Sequence, residues 1–277
     1  MKHIPMILVL LLACIVLTPF VIMVGGSLMS YEEGIGAGLR IIPRKPTLRP
    51  YAELMQFSVI RWTANTLFIG LSTALINLTL ALSAAFALAK YRFRAQNLVF
   101  ALLVAGILIP SQLMIVPSFL ITRFFGLYNT IWGAIIPRAI DAGAIWLLTK
   151  YLRAVPDSII DMGRIDGLGA LGLLRRIIAP LAQPALIALL SIRMVTIWAD
   201  YLWPLIILRK EELMTLALGV REVIYVFFIN QRTETFGVPY MGITLAGAVL
   251  ATIPGIILFL FVQRYFVDGL FAKTGGK

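Results

Sequence analysis

Long apolar runs rather than short alternations set the pattern of this chain. A helix needs roughly 20 apolar residues to cross a hydrocarbon core of about 30 Å, and six runs of that order recur. They cover residues 4–29, 63–89, 98–121, 131–148, 181–208 and 243–262. Pro110 and Pro117 interrupt the third, and Pro254 lies inside the sixth. Membrane spans tolerate such prolines because neighbouring helices satisfy the freed carbonyls, and each makes a kink point. The first run follows Lys2 and His3, as a signal peptide would. It is long for one, however, and no small-x-small cleavage site stands out near Val24-Gly25-Gly26-Ser27. It is read as an uncleaved span.

Three stretches are too polar to cross: residues 30–61, 155–180 and 209–240. Neither a fixed-period repeat nor a low-complexity tract separates them. Composition agrees with this pattern. Of 277 residues 60% are hydrophobic and 13% charged, against about a quarter charged in a soluble domain. The expected fold is an all-α integral membrane protein of about six transmembrane helices. It forms a single transmembrane domain over residues 1–277, with its core at about 63–263 and its first span at 4–29. The short loop after the second run, Lys90-Tyr91-Arg92-Phe93-Arg94, favours the inside, and with it both termini.

The net charge of +11 is scattered among apolar spans rather than gathered on one face, which fits membrane lipid and not nucleic acid. Cys14 is the only cysteine and His3 the only histidine. No intrachain disulfide, cysteine cluster, histidine-rich metal site or histidine acid–base pair is therefore possible. No catalytic residue and no metal ligand is assigned.

The central polar stretch reads Val155-Pro156-Asp157-Ser158-Ile159-Ile160-Asp161-Met162-Gly163-Arg164-Ile165-Asp166-Gly167. Asp157 and Ser158 can cap a short helix, and Gly167 can end it in a left-handed turn. The result is a helix of two or three turns between the fourth and fifth spans. Its Asp161, Arg164 and Asp166 are available to a water-side partner. An ordinary amphipathic helix on the membrane surface fits the same residues.

This stretch resembles the cytoplasmic loop of binding-protein-dependent ABC permeases, whose pattern runs Glu-Ala-Ala, three residues, Gly, nine residues, Ile-x-Leu-Pro. Here the matching residues are Asp161-Met162-Gly163, then Gly167, then Ile177-Ile178-Ala179-Pro180. Asp replaces Glu, Met replaces Ala, and Gly replaces the second Ala. Further likenesses to the carbohydrate branch follow in order along the chain. They are Asn65-Thr66-Leu67, the run from Ala85 to Phe93, Ile109-Pro110-Ser111-Gln112 with Pro117, and Trp198-Ala199-Asp200-Tyr201-Leu202-Trp203-Pro204-Leu205. The last is Gln263-Arg264-Tyr265-Phe266-Val267-Asp268-Gly269-Leu270, after which residues 271–277 depart from the family's usual close. The resemblance is to the shorter of two paired subunits of the maltose-permease type.

What the resemblance implies is a transmembrane subunit of a sugar importer in a bacterial or archaeal cytoplasmic membrane. Its expected partners are a second permease subunit, two copies of a cytoplasmic ATPase and an extracytoplasmic solute-binding protein. The loop helix is expected to couple to the ATPase through Asp161, Arg164, Asp166 and Gly167. ATP and Mg would sit on that partner, since this chain has no Gly-x-x-x-x-Gly-Lys-[Ser/Thr] loop. No cofactor is expected on the chain, and it is not expected to be an enzyme.

Ionisable groups inside spans usually face a cavity or a partner. Arg138 and Asp141 are three apart in the fourth span, hence on one face of a continuous helix, and Arg193 and Asp200 lie two turns apart in the fifth. Two readings stay open: internal or inter-subunit ion pairs, and a lining for the solute path together with Trp198 and Tyr201. An arginine at 193 is unexpected for the family. It keeps open an anionic solute such as a sulfonated sugar, a sugar acid or a glycerol phosphate. A secondary transporter working without ATP is the remaining alternative, although such proteins often show internal repeats.

Overall fold

The computed structural model describes residues 4–30, 33, 42–231 and 241–271. Among these every regular element is helical. In chain order they are α1 Ile4–Ser27, α2 Arg49–Leu54, α3 Val59–Lys90, α4 Gln96–Leu108, α5 Ser111–Phe124, α6 Ile131–Arg138 and α7 Ala142–Arg153. There follow α8 Asp157–Ile165, α9 Ala170–Leu181, α10 Gln183–Trp198, α11 Leu202–Ile207, α12 Leu216–Gln231 and α13 Met241–Phe271.

Helices α1 and α3 are each long and apolar enough to cross a membrane alone. Three further spans are bent pairs: α4 with α5 at 99°, α6 with α7 at 44°, and α9 with α10 at 78°. α13 falls at the sixth apolar run, so two helices and up to three bent pairs among the described residues have the length and apolarity of a span. The bends correct the sequence picture of a straight fourth and fifth span. A proline lies at each bend, removing a backbone donor, and at the first it also holds the residue before it out of helix. Ile109 before Pro110 is extended (ψ 119°), Pro137 lies in the 3-10 turn that closes α6, and Pro184 opens α10. The fifth run also breaks after Trp198, before α11 begins.

The chain divides into two compact units, residues 1–64 with 214–256 and residues 65–213 with 257–277. In the first, glycines let side chains nest against bare backbone, as membrane helices commonly pack. A Cβ at Gly219 would stand 2.2 Å from the Trp62 ring, and one at Gly247 would stand 2.4 Å from Val220. The Tyr51 hydroxyl donates to Ser27 Oγ at 2.8 Å and ties α2 to the end of α1. The stretch 209–240, read from sequence as too polar to span, contains α12. Residues 232–240 of it lie outside the described residues.

The second unit holds the larger core. Ala81, Ala85 and Leu88 of α3 meet Leu148 and Leu152 of α7, Ile160 of α8, Leu173 and Ile178 of α9, and Leu189 of α10. This core supports the 155–180 segment from below, so the polar loop rests on packed apolar side chains.

Gly219→Ala is expected to destabilise the protein by about 1–3 kcal/mol through overpacking against a rigid indole. Gly169→Ala, with no atom within 4 Å of the added carbon and no positive φ, should cost far less. Equilibrium unfolding in mixed micelles compares the two, and equal costs would contradict the packing account.

Candidate functional site

Two places concentrate polar chemistry, both within the second unit. The first is the loop helix α8. Its end is a Schellman motif: the Gly167 N–H donates to the Arg164 carbonyl at 3.0 Å, and the Leu168 N–H donates to that of Gly163 at 2.9 Å. Gly167 takes φ +81°, the left-handed turn the sequence led us to expect. The start differs from expectation. Pro156 holds the N-cap position with no side-chain cap bond, and Asp157 is already the first helical residue. Its carboxylate instead accepts from Lys90 Nζ at 2.7 Å, while the same ammonium donates to the Val155 carbonyl at 2.5 Å. Lys90 is 3% exposed and Asp157 82%, so a buried cation reaches out from the end of α3 and fixes the root of α8. The hydrogen bond from Lys90, and then its charge, holds the Asp157 carboxyl below its ordinary value.

The two faces of α8 differ sharply. Ile160 and Gly163 are buried. A Cβ at Gly163 would lie 2.5 Å from Ile177 Cδ1 and 2.7 Å from Leu173 Cδ2, so glycine in place of the family's alanine lets α8 lie close on α9. The other face carries Asp161, Arg164 and Asp166, all exposed, with Met162 and Ile165 exposed beside them. Asp161 and Arg164 are bonded at 3.0 Å, and the Arg164 guanidinium stands 5.8 Å from the Tyr91 ring centroid. This face joins charge to exposed apolar area.

The second place lies at the breaks α6–α7 and α10–α11. Arg138 and Asp141 do not share one helical face, because the chain leaves the helix between them. Asp141 is extended and caps α7: its Oδ1 accepts from the Ala144 N–H at 3.0 Å. Its Oδ2 accepts from Arg193 Nη1 at 3.0 Å. Asp200 repeats this division. Oδ1 accepts from the Trp203 N–H at 3.4 Å at the start of α11, and Oδ2 pairs with Arg138. Each aspartate therefore caps one broken span and binds an arginine of the other. Arg193 also donates to the Arg138 carbonyl at 2.5 Å, and Asn77 of α3 donates to that of Ala139 at 3.1 Å.

Around this cross-tie, Trp203 Nε1 donates to the Gly133 carbonyl at 3.2 Å, and the Arg138 guanidinium lies 5.9 Å from the Trp203 centroid. Trp198 and Tyr201 are half-buried nearby in sequence. Thr73 Oγ1, Asn77 Oδ1 and Arg193 Nε are buried with no hydrogen-bond partner. Lys90 and Asn77 carry much of the geometry yet escaped the sequence-derived set, and Trp203, expected from sequence only as aromatic area, serves as a hydrogen-bond donor. An in-span asparagine was the one available signal. No group of three or more acids, histidines or cysteines that could hold a metal occurs among the described residues.

Comparison with known proteins gives concordant matches. A family model described as a binding-protein-dependent transport system inner membrane component matches residues 77–271. The arabinooligosaccharides transport system permease protein AraQ of Bacillus subtilis (strain 168) is 31% identical over 265 residues, covering 94% of this chain and 91% of that protein. The sn-glycerol-3-phosphate transport system permease protein UgpE of Rhizobium meliloti (strain 1021) is 27% identical over 252 residues, 88% of this chain and 86% of that one. A chain of a bacterial ABC transporter involved in import of the acidic polysaccharide alginate aligns with TM-score 0.83 at 24% identity, over 96% of both chains. A chain of a bacterial alginate ABC transporter in complex with an alginate pentasaccharide-bound periplasmic protein aligns with TM-score 0.63 at 15% identity, over 95% of this chain and 94% of that one. At these identities the structural matches show a common fold.

Two predictions follow from the geometry. Asp141→Asn keeps a capping oxygen but loses the ion pair, and Arg193→Met leaves an unpaired aspartate. The two changes should be non-additive by about 1–3 kcal/mol in an unfolding double-mutant cycle; additive costs would separate the residues. At the loop, a depressed folded pKa makes the Lys90–Asp157 tie complete above the ordinary carboxylate value of about 3.9 and lost as pH falls through the lower folded value. A spin label at Ser158→Cys, in a Cys14→Ser background, should show constant mobility from about pH 8 to 5 and loosening in the acid range. With Asp157→Asn it should be loose throughout.

Proposed function

This chain belongs to the family of binding-protein-dependent transport system inner membrane components and is a permease subunit of an ATP-binding-cassette importer; from that premise we propose that its solute is a neutral sugar or oligosaccharide. The observation carrying this reading is the likeness to an arabinooligosaccharide permease along nearly the whole chain. The cross-tie supports it physically. Arg138 and Arg193 are each matched by an aspartate, so these four residues sum to no net charge and leave no arginine free to attract an anion. Polar groups without partners, on Thr73 and Asn77, suit hydroxyls or water once the helices part. Trp198 and Tyr201 offer aromatic area for sugar rings in the same path.

A second reading, an anionic solute such as a sugar acid or glycerol phosphate, is favoured by the likeness to a glycerol-phosphate permease. It requires that Arg193 or Arg138 exchange its aspartate for the solute during transport.

In the proposed assembly residues 1–277 act as one permease domain beside a second permease subunit. Two copies of an ATPase bind ATP and Mg, and an extracytoplasmic binding protein delivers the solute. The 155–180 loop and both termini are cytoplasmic, in keeping with the bases at 90–94, 150, 153, 175 and 176. Asp161, Arg164 and Asp166 meet the ATPase while Gly167 sets the turn behind them. Closure of the ATPase then drives alternating access through the bent spans.

Uptake by the assembled transporter in proteoliposomes tests both parts. Neutral saccharides should stimulate ATP hydrolysis and accumulate, whereas stimulation by anionic sugars alone, lost in Arg193→Ala, would establish the second reading. Gly167→Pro and Asp161→Lys should assemble with the second permease but lose at least tenfold in solute-stimulated hydrolysis. Full activity in both would disprove the coupling assignment, and uptake by this chain without ATP would indicate a secondary transporter.

A further inference from the structure

Several cations near the spans have an acidic partner: Lys90 has Asp157, Arg138 has Asp200, Arg193 has Asp141 and Arg164 has Asp161. Lys150 and Arg153, in the last turn of α7, differ. Both are exposed, and among the described residues neither has a carboxylate within ion-pair distance. Aromatic rings hold them instead. The Lys150 ammonium stands 5.8 Å from the Phe100 centroid and 6.0 Å from that of Trp146, and the Arg153 guanidinium stands 5.0 Å from Phe100. Phe100 belongs to the first turns of α4, which packs along α7.

An aromatic face steadies a cation without cancelling its charge. The carbonyl end of α7 offsets about half a charge, so two full cations leave the corner positive. The surface further along the span is apolar and exposed, with Val104, one turn past Phe100, at 36% and Leu147, one turn before Lys150, at 41%. Positive charge at the end of a span, aromatic rings at the same level and bare hydrocarbon just past them are complementary to an anionic head joined to acyl tails. A free phosphate would engage only the first of these features.

We propose that this corner of α4 and α7 binds the headgroup of an anionic phospholipid at the membrane end that carries the 155–180 loop. The lipid phosphate lies between Lys150 and Arg153, and its chains lie along Val104 and Leu147. Arg153 is four residues before Asp157, so occupancy stiffens the lead into α8.

The purified transporter complex, delipidated in detergent, can be titrated with phosphatidylglycerol or phosphatidylcholine and read by native mass spectrometry. Phosphatidylglycerol should be retained preferentially. Lys150→Gln with Arg153→Gln should lower that preference about 30-fold, and each single change about fivefold, as two cations near a charged headgroup imply. The swap K150R/R153K should retain it. An unchanged preference in the Gln pair overturns the proposal, as does an equal loss in the swap, which would make packing and not charge responsible. Millimolar inorganic phosphate should leave the lipid bound; full displacement would mark a site for soluble anions and overturn the lipid assignment. Should the double change impair folding, the single changes decide by the same criterion.

Discussion

In a hydrocarbon environment no water is at hand for an open backbone group, so each break in a membrane helix must be satisfied by the protein itself. The structure around residues 138–141 and 198–203 is organised by that requirement. Two spans are interrupted at these positions, and two aspartates close the exposed helix starts. A capping carboxylate brings its own charge into the span, which is costly unless matched. Arg193 and Arg138 match it from the opposite span. Arg193 and Asn77 then take the carbonyls of Arg138 and Ala139 that the break releases. The charges are thus a consequence of bending the helices, and they tie the two bends together. An arginine at 193 signals anion chemistry when read alone. Within this network it first serves the backbone.

The loop helix obeys a different constraint because it faces water and needs rigidity rather than neutrality. Nine residues are too few for a stable isolated helix, so α8 depends on its ends and its buried face. The Schellman turn at Gly167 closes one end, and Lys90 grips the other through Val155 and Asp157. Gly163 permits close seating on Leu173 and Ile177. The departure from alanine at that position is explained by packing and leaves the outward charges of Asp161, Arg164 and Asp166 free to meet a partner. In the coupling role proposed for it α8 would have to transmit force, and an element held at both ends and along one side can do so.

The apolar runs foretold the helical membrane fold, and the short polar helix with its glycine end was legible from residue types alone. Both rest on local chemistry: chain length against bilayer thickness, and the left-handed turn that glycine permits. Long-range pairing was not legible. The spacing of Arg138 and Asp141 suggests one face only if the helix continues between them, and the backbone turns extended at Asp141 instead. Asp157 has the composition of a cap, yet a lysine 67 residues earlier competes for the carboxylate. Asn77 and Trp203 acquire their roles from carbonyls that exist as free acceptors only after folding. Sequence periodicity contains no record of such partners.

These two regions share an element. α3 bears Lys90 at its end and Asn77 thirteen residues earlier, a separation of about 20 Å along a helix. One residue grips the root of α8 and the other holds the carbonyl at the α6–α7 break. α7 runs the same course, with Asp141 at its start and Leu152 packed in the core beneath the loop. In the proposed coupling a push on α8 reaches the charged breaks by way of α3 and α7, which share the core beneath the loop. Packed helices transmit displacement well because cores at near-crystalline density resist compression. Proline-marked bends are compliant points in such a frame. Displacement entering at α8 is accordingly taken up where the spans break, at the level where the cross-tie, the unpartnered polar atoms and the half-buried aromatic rings lie.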